Sequence, residues 1–583
     1  MNHHRFPTST WTSSVFRFVR SGAPVFIAAL APLAFTAAGE GQPAFRIRAE
    51  NTDPLNTDTG WAAAFNEEAT VAADRPFRIR FELERDRLPP GAPGIALQYR
   101  RNDDEDWLEV GAHDFPYPEA EEPRSPRLSV VSTPAYAHGE PATDLLHGSA
   151  RPFGGGAGIN LAAQAPAWFA QEGHHEFEWP LVIRRFADGA VTNEEGDRFE
   201  VRLADHRGKT LPGARPARVR LTVPPGHVGG TFVETPGRIG PWQARNGDLY
   251  FIMEPAESYN VFMMVKSNDG GRTWREIDAG HRPETDDLES VDGRLIDGTL
   301  HLAHQVTRSL RYHSFRTSDH PTAPDTWATR DELAATERSV AQGTSLVVRR
   351  DGSMVAFFVG STLHYNLRSA DGKWRQSAPV APAETRILAG PQAVLAADDV
   401  VHVACYRDDG TLWHHTLLPD GTFSPPALIA EGAGVGRPHY GSILPLVHLP
   451  DTNTVAIVYR LADGFLWERR ASADGRLSPP VRVSERRVVQ HAVDSQQTAA
   501  DVVADGDTLH VLFIDETTRS LFSTHDRGGW QPATLRVDGI EGSWVRGNLL
   551  RRADGTRACG YIYDAGSRGG SGMNRYGEFP LIE

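Results

Sequence analysis

The sequence has little cysteine, no long apolar run and fewer basic than acidic residues. Only two cysteines, Cys405 and Cys559, occur among 583 residues. Both stand inside apolar runs of separate repeat units, so we expect no disulfide. No stretch approaches the roughly twenty apolar residues of a membrane-spanning helix. The formal net charge of −15 argues against nucleic acid as a partner, because phosphate binding normally requires a basic surface.

Sequence patterns for metal ligation and for serine hydrolases are also missing. There is no cysteine and histidine cluster, no HExxH and no calcium-loop spacing. No G-x-S-x-G elbow stands between a predicted strand and a predicted helix. We therefore predict no metal in the functional site and no cofactor, and the sequence leaves a structural metal undecided.

The first residues have the pattern of an export signal. Residues 1–20 contain basic side chains and no acid, residues 23–35 form an apolar run, and small residues follow up to Ala38. This succession is typical of a signal peptide that is cleaved near Ala38. We therefore expect residues 1–38 to be removed and the mature protein to be secreted or periplasmic, without a membrane span.

The region 44–226 is predicted to be an antiparallel β-sandwich. Glycine and proline are abundant, with 55 and 41 residues, which favours turns and strands over helices. Period-two alternation of apolar and polar residues is typical of strands with one buried face. Four runs show it: FRIRFELE from Phe77, IALQYRR from Ile95, FEVRLAD from Phe199 and ARVRLTV from Ala217.

No catalytic group of residues stands out in this first region, so we interpret it as an accessory domain. Three tryptophans, Trp107, Trp168 and Trp179, either stack on sugars or pack in the core, and core packing is the default. A Pro-Pro-Gly sequence at 224–226 and a Gly-Gly pair at 229–230 mark the end of the domain.

A unit of about fifty residues recurs seven times between 229 and 583. Each unit has an apolar strand, a shorter strand before it and a third strand after it that ends at a polar turn. Four antiparallel strands per unit form the blade of a propeller. We therefore predict an all-β chain with a β-sandwich followed by a seven-bladed β-propeller over 229–583. The apolar strands are LYFIMEP from Leu249, LHLAHQV from Leu300, MVAFFVG from Met354, VHVACYR from Val401, VAIVYRL from Val455, LHVLFID from Leu509 and ACGYIYD from Ala558.

The last unit ends before an outer strand can form. The run TFVET at 231–235 precedes the first complete unit, and we predict that it supplies the missing strand. Such a closure joins the two ends of the ring and removes an exposed sheet edge.

The segment SNDGGRTW at 267–274 matches the Asp-box pattern S-x-D-x-G-x-T-W, and degenerate forms stand at 369–374 and 472–477. On these turns, residues 229–583 resemble the BNR or Asp-box propellers of the sialidase-like superfamily, nearest to seven-bladed polysaccharide lyases of the ulvan lyase type. The resemblance implies an exported lyase that cleaves an acidic, uronate-containing polysaccharide or oligosaccharide by β-elimination.

Two other functions stay open. The first is a sialidase-like exo-glycoside hydrolase, although Arg238-Ile239-Gly240-Pro241 carries an extra glycine relative to the Arg-Ile-Pro motif of sialidases, which also have six blades. The second is a non-catalytic propeller that binds glycans. A lyase needs cations or amides for the enolate-like charge, a base near neutral pKa and an acid for the leaving oxygen.

The loops that enter the first strand of each unit and the loops that join its second strand to its third are expected to meet on one face, and their composition gives the site candidates. Arginines would bind carboxylate or sulfate by two parallel hydrogen bonds, or else join blades through salt bridges. Histidines are candidate bases and tyrosines candidate acids, or ordinary loop residues. Amides would hold the carboxylate and tryptophans would stack on sugar or pack between blades. In that order the candidates are Arg238, Arg460 and Arg546; His304, His439 and His491; Tyr440 and Tyr459; Gln392, Gln496 and Asn548; Trp242 and Trp544.

Overall fold

The computed structural model describes residues between Ala44 and Leu581. The described residues are 44–49, 53–87, 94–112, 127–160, 164–166, 172–187, 191–211, 215–230, 237–255, 261–277, 281–285, 290–306, 309–336, 343–360, 362–380, 387–432, 445–489, 499–540, 542, 544–566 and 574–581. The predicted signal peptide lies outside them.

The described chain is built from strands, and one short 3-10 helix at Arg85–Arg87 is its helical element. The prediction of an all-β chain is confirmed. The first fourteen strands are β1 (Phe45–Ala49), β2 (Ala69–Ala72), β3 (Phe77–Glu84), β4 (Gly94–Arg101), β5 (Leu108–Glu109), β6 (Gly111–Ala112), β7 (Leu128–Val130), β8 (Phe153–Gly158), β9 (Gln164–Pro166), β10 (His174–Ile183), β11 (Phe186–Ala187), β12 (Val191–Thr192), β13 (Arg198–Asp205) and β14 (Ala217–Thr222).

These strands form two six-stranded sheets and one two-stranded sheet. The first sheet has the order β1-β3-β10-β7-β6, with β8 also pairing with β10, and the second has the order β2-β14-β13-β4-β5, with β9 pairing with β4. Strands β11 and β12 pair with each other. Alternate side chains of both large sheets, among them Phe81, Trp179 and Val201, enter one hydrophobic cluster, as period-two alternation predicts.

The opposite face of β3 and β10 departs from that pattern, because its charged residues are also buried. Arg78, Arg80 and Glu82 are at most 2% exposed, whereas an alternating strand normally turns its polar face to water. Residues of 131–151 donate and accept hydrogen bonds over this face. Of the three tryptophans, Trp179 is in the core, Trp107 is half-buried against Arg202, and Trp168 lies outside the described residues.

Seven four-stranded antiparallel sheets follow. The second strand of each contains one of the seven predicted apolar strands. The sheets are β16 (Trp242–Gln243), β17 (Leu249–Met253), β18 (Met263–Ser267) and β19 (Arg275–Ile277); β20 (Val291–Ile296), β21 (Thr299–Val306), β22 (Ser309–Arg316) and β23 (Thr326–Thr336); β24 (Thr344–Val348), β25 (Met354–Val359), β26 (Leu363–Arg368) and β27 (Ala378–Pro379); β28 (Ile387–Leu395), β29 (Val401–Arg407), β30 (Leu412–Leu417) and β31 (Ala427–Ala430); β32 (Leu446–Leu449), β33 (Thr454–Arg460), β34 (Leu466–Ala471) and β35 (Val481–Arg482); β36 (Ala500–Asp505), β37 (Thr508–Ile514), β38 (Leu521–His525) and β39 (Thr534–Val537); and β40 (Val545–Arg551), β41 (Arg557–Asp564) and β42 (Asn574–Pro580) with β15 (His227–Gly229).

The first strands of these sheets, β16, β20, β24, β28, β32, β36 and β40, are called the inner strands below. From β20 to β40 each inner strand contacts the next one in the chain. The seventh sheet returns to the first through the Gln243 side chain, whose Nε2 donates to the Arg551 carbonyl oxygen at 3.1 Å. The first then meets the second, since the backbone N–H of Gly293 donates to the Arg238 carbonyl oxygen.

The outer strand of the seventh sheet comes from the beginning of this region, but from an earlier segment than predicted. His227–Gly229 pairs with β42, and the predicted segment 231–235 lies outside the described residues. The His227 imidazole is fully buried and its Nε2 lies 2.8 Å from Asp74 Oδ2. This contact fixes His227–Gly229 between the N-terminal sheets and β42, so the sheet edge is closed there.

The turn at 267–274 is closed by hydrogen bonds to the Asp269 carboxylate. Asp269 accepts from Ser267 Oγ at 2.8 Å and from the Thr273 N–H at 2.9 Å. Trp274 is buried, and its Nε1 donates to the Gly271 carbonyl oxygen. Gly271 has a φ of 88°, and a Cβ there would lie 2.1 Å from the Tyr576 ring, so both backbone and packing require glycine.

The two cysteines, Cys405 on β29 and Cys559 on β41, are buried free thiols in different sheets. Within the described ranges, no helix has the length and apolar character needed to cross a bilayer.

Candidate functional site

The inner strands surround a cavity of about 330 Å³. Its lining is apolar where Val394, Leu446 and Val502 contribute, and these side chains come from three different sheets. Its polar and aromatic lining comes from the first, second and seventh sheets and their connections, with the members Arg238, Trp242, Gln243, Arg294 and Asn548. The cavity is therefore polar on one side and apolar on the other.

Arg238, just before β16, is the predicted arginine that the structure places in this cavity. Its Nη1 lies 2.8 Å from Asp501 Oδ2, and its Nη2 donates to the Val502 carbonyl oxygen at 3.3 Å. The side chain keeps 22% of its surface exposed. Its guanidinium is thus anchored from one side and open to the cavity.

Arg294 on β20 is a second cavity arginine, and it is absent from the predicted set. Its Nη1 lies 2.6 Å from Asp292 Oδ1, its Nη2 donates to the Ala393 carbonyl oxygen at 2.9 Å, and its side chain is 23% exposed. The sequence Asp-Gly-Arg at 292–294 is typical of a turn. The structure places it inside the inner strand, which turns Arg294 into the cavity.

Gly293 makes that strand possible beside Trp242. A Cβ on Gly293 would lie 2.6 Å from the Trp242 ring and 2.6 Å from Leu302. The glycine here serves close packing, not a turn. Trp242 is 6% exposed, so it presents one edge to the cavity and packs with most of its surface, which is the blade-packing alternative for this residue.

Two buried aspartates hold the arginines and join neighbouring sheets. Asp292 Oδ2 accepts from the Leu346 N–H and from Ser345 Oγ, both at 2.8 Å. Asp501 Oδ2 accepts from the Gly547 N–H at 2.8 Å. Buried carboxylates need such charge-assisted partners. Each arginine of the cavity is therefore paired with a carboxylate that the fold itself has fixed.

Asn548 lines the cavity and connects the seventh sheet to the first. Its Nδ2 donates to the Pro241 carbonyl oxygen at 2.9 Å, and its Oδ1 accepts from the Leu549 N–H at 2.9 Å. Both ends of the amide are engaged with backbone, which agrees with the alternative that this residue satisfies inner-strand groups.

Arg546, Trp544 and Gln392 are buried and do not line the cavity. Arg546 Nε donates to the Gly237 carbonyl oxygen at 3.0 Å, and its guanidinium lies over the Trp544 ring at 5.6 Å. Burial lowers the pKa of Arg546 to about 10. Gln392 Nε2 donates to the Pro391 carbonyl oxygen at 3.1 Å. These three side chains therefore make contacts within and between the sheets and are not part of the cavity lining.

His304 on β21 is enclosed by the first and second sheets. Its Nε2 lies 2.9 Å from Thr285 Oγ1, and its ring packs edge-on against Phe262 at 5.2 Å and next to His313 at 5.7 Å. Burial lowers the pKa of His304 to about 3. A neutral, fully buried imidazole with this pKa is a weak base and has no open surface for a substrate.

Tyr459 and Arg460, at the end of β33, are also held inside the protein. Tyr459 is 1% exposed, and burial raises its pKa. Arg460 Nε donates to the Val488 carbonyl oxygen at 3.0 Å, and burial lowers its pKa. Neither lines the cavity. The remaining candidates, His439, Tyr440, His491 and Gln496, lie outside the described residues.

Comparison with known proteins finds structurally similar solved structures but no matching protein family. No protein-family profile matches the sequence, and no curated protein matches it. Among solved structures, the polysaccharide lyase Uly1 is 9% identical, over 60% of this chain and 91% of its own, with a TM-score of 0.36. The intramolecular trans-sialidase from Ruminococcus gnavus is 11% identical, over 60% and 97%, with a TM-score of 0.34.

A fucose-recognising lectin from Aleuria aurantia, described as a six-bladed β-propeller, is 11% identical, over 60% of this chain and 95% of its own, with a TM-score of 0.33. The three neighbours differ in activity, and all three TM-scores are below 0.5. The function of this chain therefore has to be argued from its own residues.

Proposed function

We propose that the seven four-stranded sheets are the blades of a β-propeller and that its central cavity acts on an acidic, uronate-containing glycan as an exported polysaccharide lyase. The domain limits proposed with it are a signal peptide at 1–38, a β-sandwich at 44–226 and the propeller at 229–583. The observation that carries the proposal is the pair Arg238 and Arg294, two partly exposed guanidinium groups in one cavity.

The arrangement of these arginines suits an anionic sugar. A guanidinium has five N–H donors, and the contacts to Asp292 and Asp501 use one side of each group. A side chain held in place on one side loses little entropy when it binds a carboxylate on the other. The cavity of about 330 Å³ lies at the small end of the ligand-site range of about 300–1,000 Å³, which suits one or two sugar units.

β-Elimination requires a base next to this carboxylate site. The two guanidinium groups would donate hydrogen bonds to the substrate carboxylate and so stabilise the charge that develops when the adjacent proton is removed. Because His304 and Tyr459 are buried, we assign the base to His439 or His491 and the acid to Tyr440. In the sequence these residues precede the inner strands β32 and β36, and we propose Gln496 as a further carboxylate-binding amide.

A non-catalytic glycan-binding propeller is the second candidate function. The specific observation in its favour is that the candidate bases and acids among the described residues, His304 and Tyr459, have at most 1% of their surface exposed. Binding needs only the arginines and the cavity, and no proton transfer.

The experiment is incubation of the full chain with ulvan, glucuronan, pectin and glycosaminoglycans, read by absorbance of the unsaturated product, by reducing-end release and by calorimetric binding. We expect absorbance with at least one uronate polymer. Binding without product overturns the lyase in favour of a glycan-binding protein, and reducing ends without absorbance show a hydrolase. No binding and no product with any polymer contradicts the proposed function altogether.

Matched variants locate the activity. Arg294→Gln removes one cavity cation and is expected to lower kcat/KM, or affinity, by about tenfold or more, since a charge-assisted contact contributes about 1.5–3 kcal/mol. Arg476→Gln is the control, because Arg476 has an 86% exposed side chain on a distant turn. Equal losses in both variants would place the site elsewhere.

A further inference from the structure

The polar face of β3 and β10 carries a buried group of charged side chains far from the central cavity. β3 contributes Arg78, Arg80 and Glu82, and β10 contributes His174, Glu176 and Glu178. None of the six is more than 2% exposed. Ionisable side chains are almost never buried this deeply unless each has a compensating partner.

One half of this group is a compact ion-pair network. Glu178 Oε1 lies 3.0 Å from Arg78 Nη1 and 3.6 Å from Arg48 Nε, and its Oε2 lies 3.3 Å from Arg80 Nη1. Arg80 Nε also lies 2.6 Å from Glu176 Oε2. The arginines are thus concentrated around Glu178, and they reach the other half of the group through Glu176.

The other half contains donor atoms that face one another. One ligand atom each from Glu82, His174 and Glu176 lies within 4.8 Å of the other two. Asp144, from the segment that covers the face, adds an oxygen 3.3 Å from His174 Nε2. The exposed His147 lies at the rim, with Nδ1 3.1 Å from the same oxygen. Carboxylate oxygens and an imidazole nitrogen therefore approach one another here, and Glu176 is at the same time paired with Arg80.

The orientation of His174 shows that a positive charge belongs between these atoms. His174 Nδ1 lies 2.8 Å from the Arg151 carbonyl oxygen, which accepts only, so Nδ1 carries the proton. Nε2 then has its lone pair towards Asp144 Oδ1, which is also an acceptor. Two acceptors at this distance require a second proton or a metal ion between them. A histidine whose other nitrogen donates to a backbone carbonyl is also typical of metal ligation.

We propose that Glu82, His174 and Glu176, with Asp144 as the fourth ligand, bind a divalent transition-metal ion of the zinc type. One imidazole nitrogen with carboxylate oxygens suits Zn²⁺, whereas Ca²⁺ and Mg²⁺ prefer oxygen ligands alone.

The surrounding backbone completes the site as a structural one. The Gly148 N–H donates to Glu82 Oε2 at 2.8 Å, and the Leu146 N–H donates to Glu176 Oε1 at 2.8 Å. Such outer contacts orient carboxylate ligands. The ion would join the segment 144–151 to β3 and β10, and because the three strand ligands are buried it has no open position for a substrate.

The test uses the full chain, stripped with a chelator and dialysed, and titrated calorimetrically with zinc chloride alone. The wild type is expected to bind about one equivalent more Zn²⁺ than His174→Gln, and to gain thermal stability on addition of Zn²⁺. Asp144→Asn is the milder variant, because the Asp144 side chain is 32% exposed. It should fold normally and weaken zinc affinity by about tenfold or more.

Glu84→Gln is the matched control, because Glu84 lies on the same strand and face but outside the donor set. It should keep the wild-type stoichiometry. The proposal is overturned if the wild type binds no Zn²⁺ at micromolar concentration, which would mean that a proton occupies the position between His174 and Asp144. Equal stoichiometry and affinity in the wild type, Asp144→Asn and Glu84→Gln would also overturn it.

Discussion

Arginines and carboxylates meet in two regions of this protein, and the regions differ in exposure. On the polar face of β3 and β10, the side chains around Glu178 have no exposed surface. In the central cavity, Arg238 and Arg294 each keep about a fifth of their side-chain surface exposed above a buried aspartate. The same residue types thus form a closed network in one place and an open one in the other. Only the open network leaves donors for a ligand.

The largest loss of stability is expected from Glu178→Gln. This change leaves Arg48, Arg78 and Arg80 with too little negative charge in a fully buried place. We expect a loss of about 3–5 kcal/mol in the free energy of unfolding, measured by denaturant titration. Arg245→Gln is the control, because Arg245 and its partner Asp297 are both exposed, and such a pair contributes about 1 kcal/mol or less. Similar losses in both variants would contradict the closed network.

Acid should have opposite effects on the fourth sheet of the ring and on the polar face of β3 and β10. His402 Nδ1 and His414 Nε2 lie 3.0 Å apart in the fourth sheet of the ring, and burial lowers their pKa values to about 4 and about 3. The unfolded chain then binds more protons below pH 6.5, so their contribution to stability is lost as the pH falls from about 6.5 towards 4. In the metal-free chain, Glu82 and Glu176 have raised pKa values, so the stability linked to them grows as they are protonated, and the measurement is therefore made on the chelator-treated protein.

Hydrogen exchange at pH 7 and pH 5 measures this difference. Protection of β29 and β30 should fall before protection of β3 and β10, by on the order of 1 kcal/mol per pH unit for each histidine. A variant with His402→Phe, which removes the titrating ring, should show a smaller fall. Uniform loss of protection across all four strands would contradict the prediction.

Gly293→Ala tests how tightly the cavity is built. The added methyl would meet Trp242 and Leu302, and overpacking of this kind destabilises by about 1–3 kcal/mol. We expect a lower Tm together with weaker glycan binding, because Trp242 has to move into the cavity. Gly247→Ala is the control in the neighbouring turn, since nothing lies within 4 Å of its Cβ position; it should lower Tm through its positive φ and leave binding unchanged.

The smallest expected effect comes from Arg294→Lys. Lysine keeps the positive charge near Asp292 but loses the planar fork that binds a carboxylate by two bonds. Glycan affinity should fall about threefold to tenfold with little change in Tm, measured by calorimetry. An unchanged affinity would show that only the charge of the cavity matters, and a loss as large as that of Arg294→Gln would show that the fork carries the whole effect.

Much of the fold could be predicted from local patterns, and less of the site. The seven apolar strands and the Asp-box turn follow from short stretches of sequence, because alternation and turn chemistry act over neighbouring residues. Arg238, a candidate from its position before an inner strand, lines the cavity. Arg294 was missed because Asp-Gly-Arg is typical of a turn, and the packing of Trp242 against Gly293 that makes it a strand involves residues about fifty positions apart.

His304 shows a second limit of local sequence patterns, which identify the residue type but not its surroundings. His304 was selected because histidine suits a base near neutral pH, but its neighbours Phe262 and Thr285 enclose the ring. Nothing in the local sequence shows this, since the enclosing residues come from the preceding sheet and its connection. Burial lowers the pKa of His304 to about 3, which makes it a much weaker base than an exposed histidine.

The sequence by itself determined the strands, their turns and their recurrence, because these depend on residues a few positions apart. Only the tertiary structure decided which charges meet. Asp501 reaches Arg238 across 263 positions of the chain, and Glu82, Asp144 and His174 converge from three separate segments. Closure of the seventh sheet by His227–Gly229 was likewise decided by the buried contact to Asp74. Sheet register and the order of strands set these distances, and local sequence patterns do not encode either.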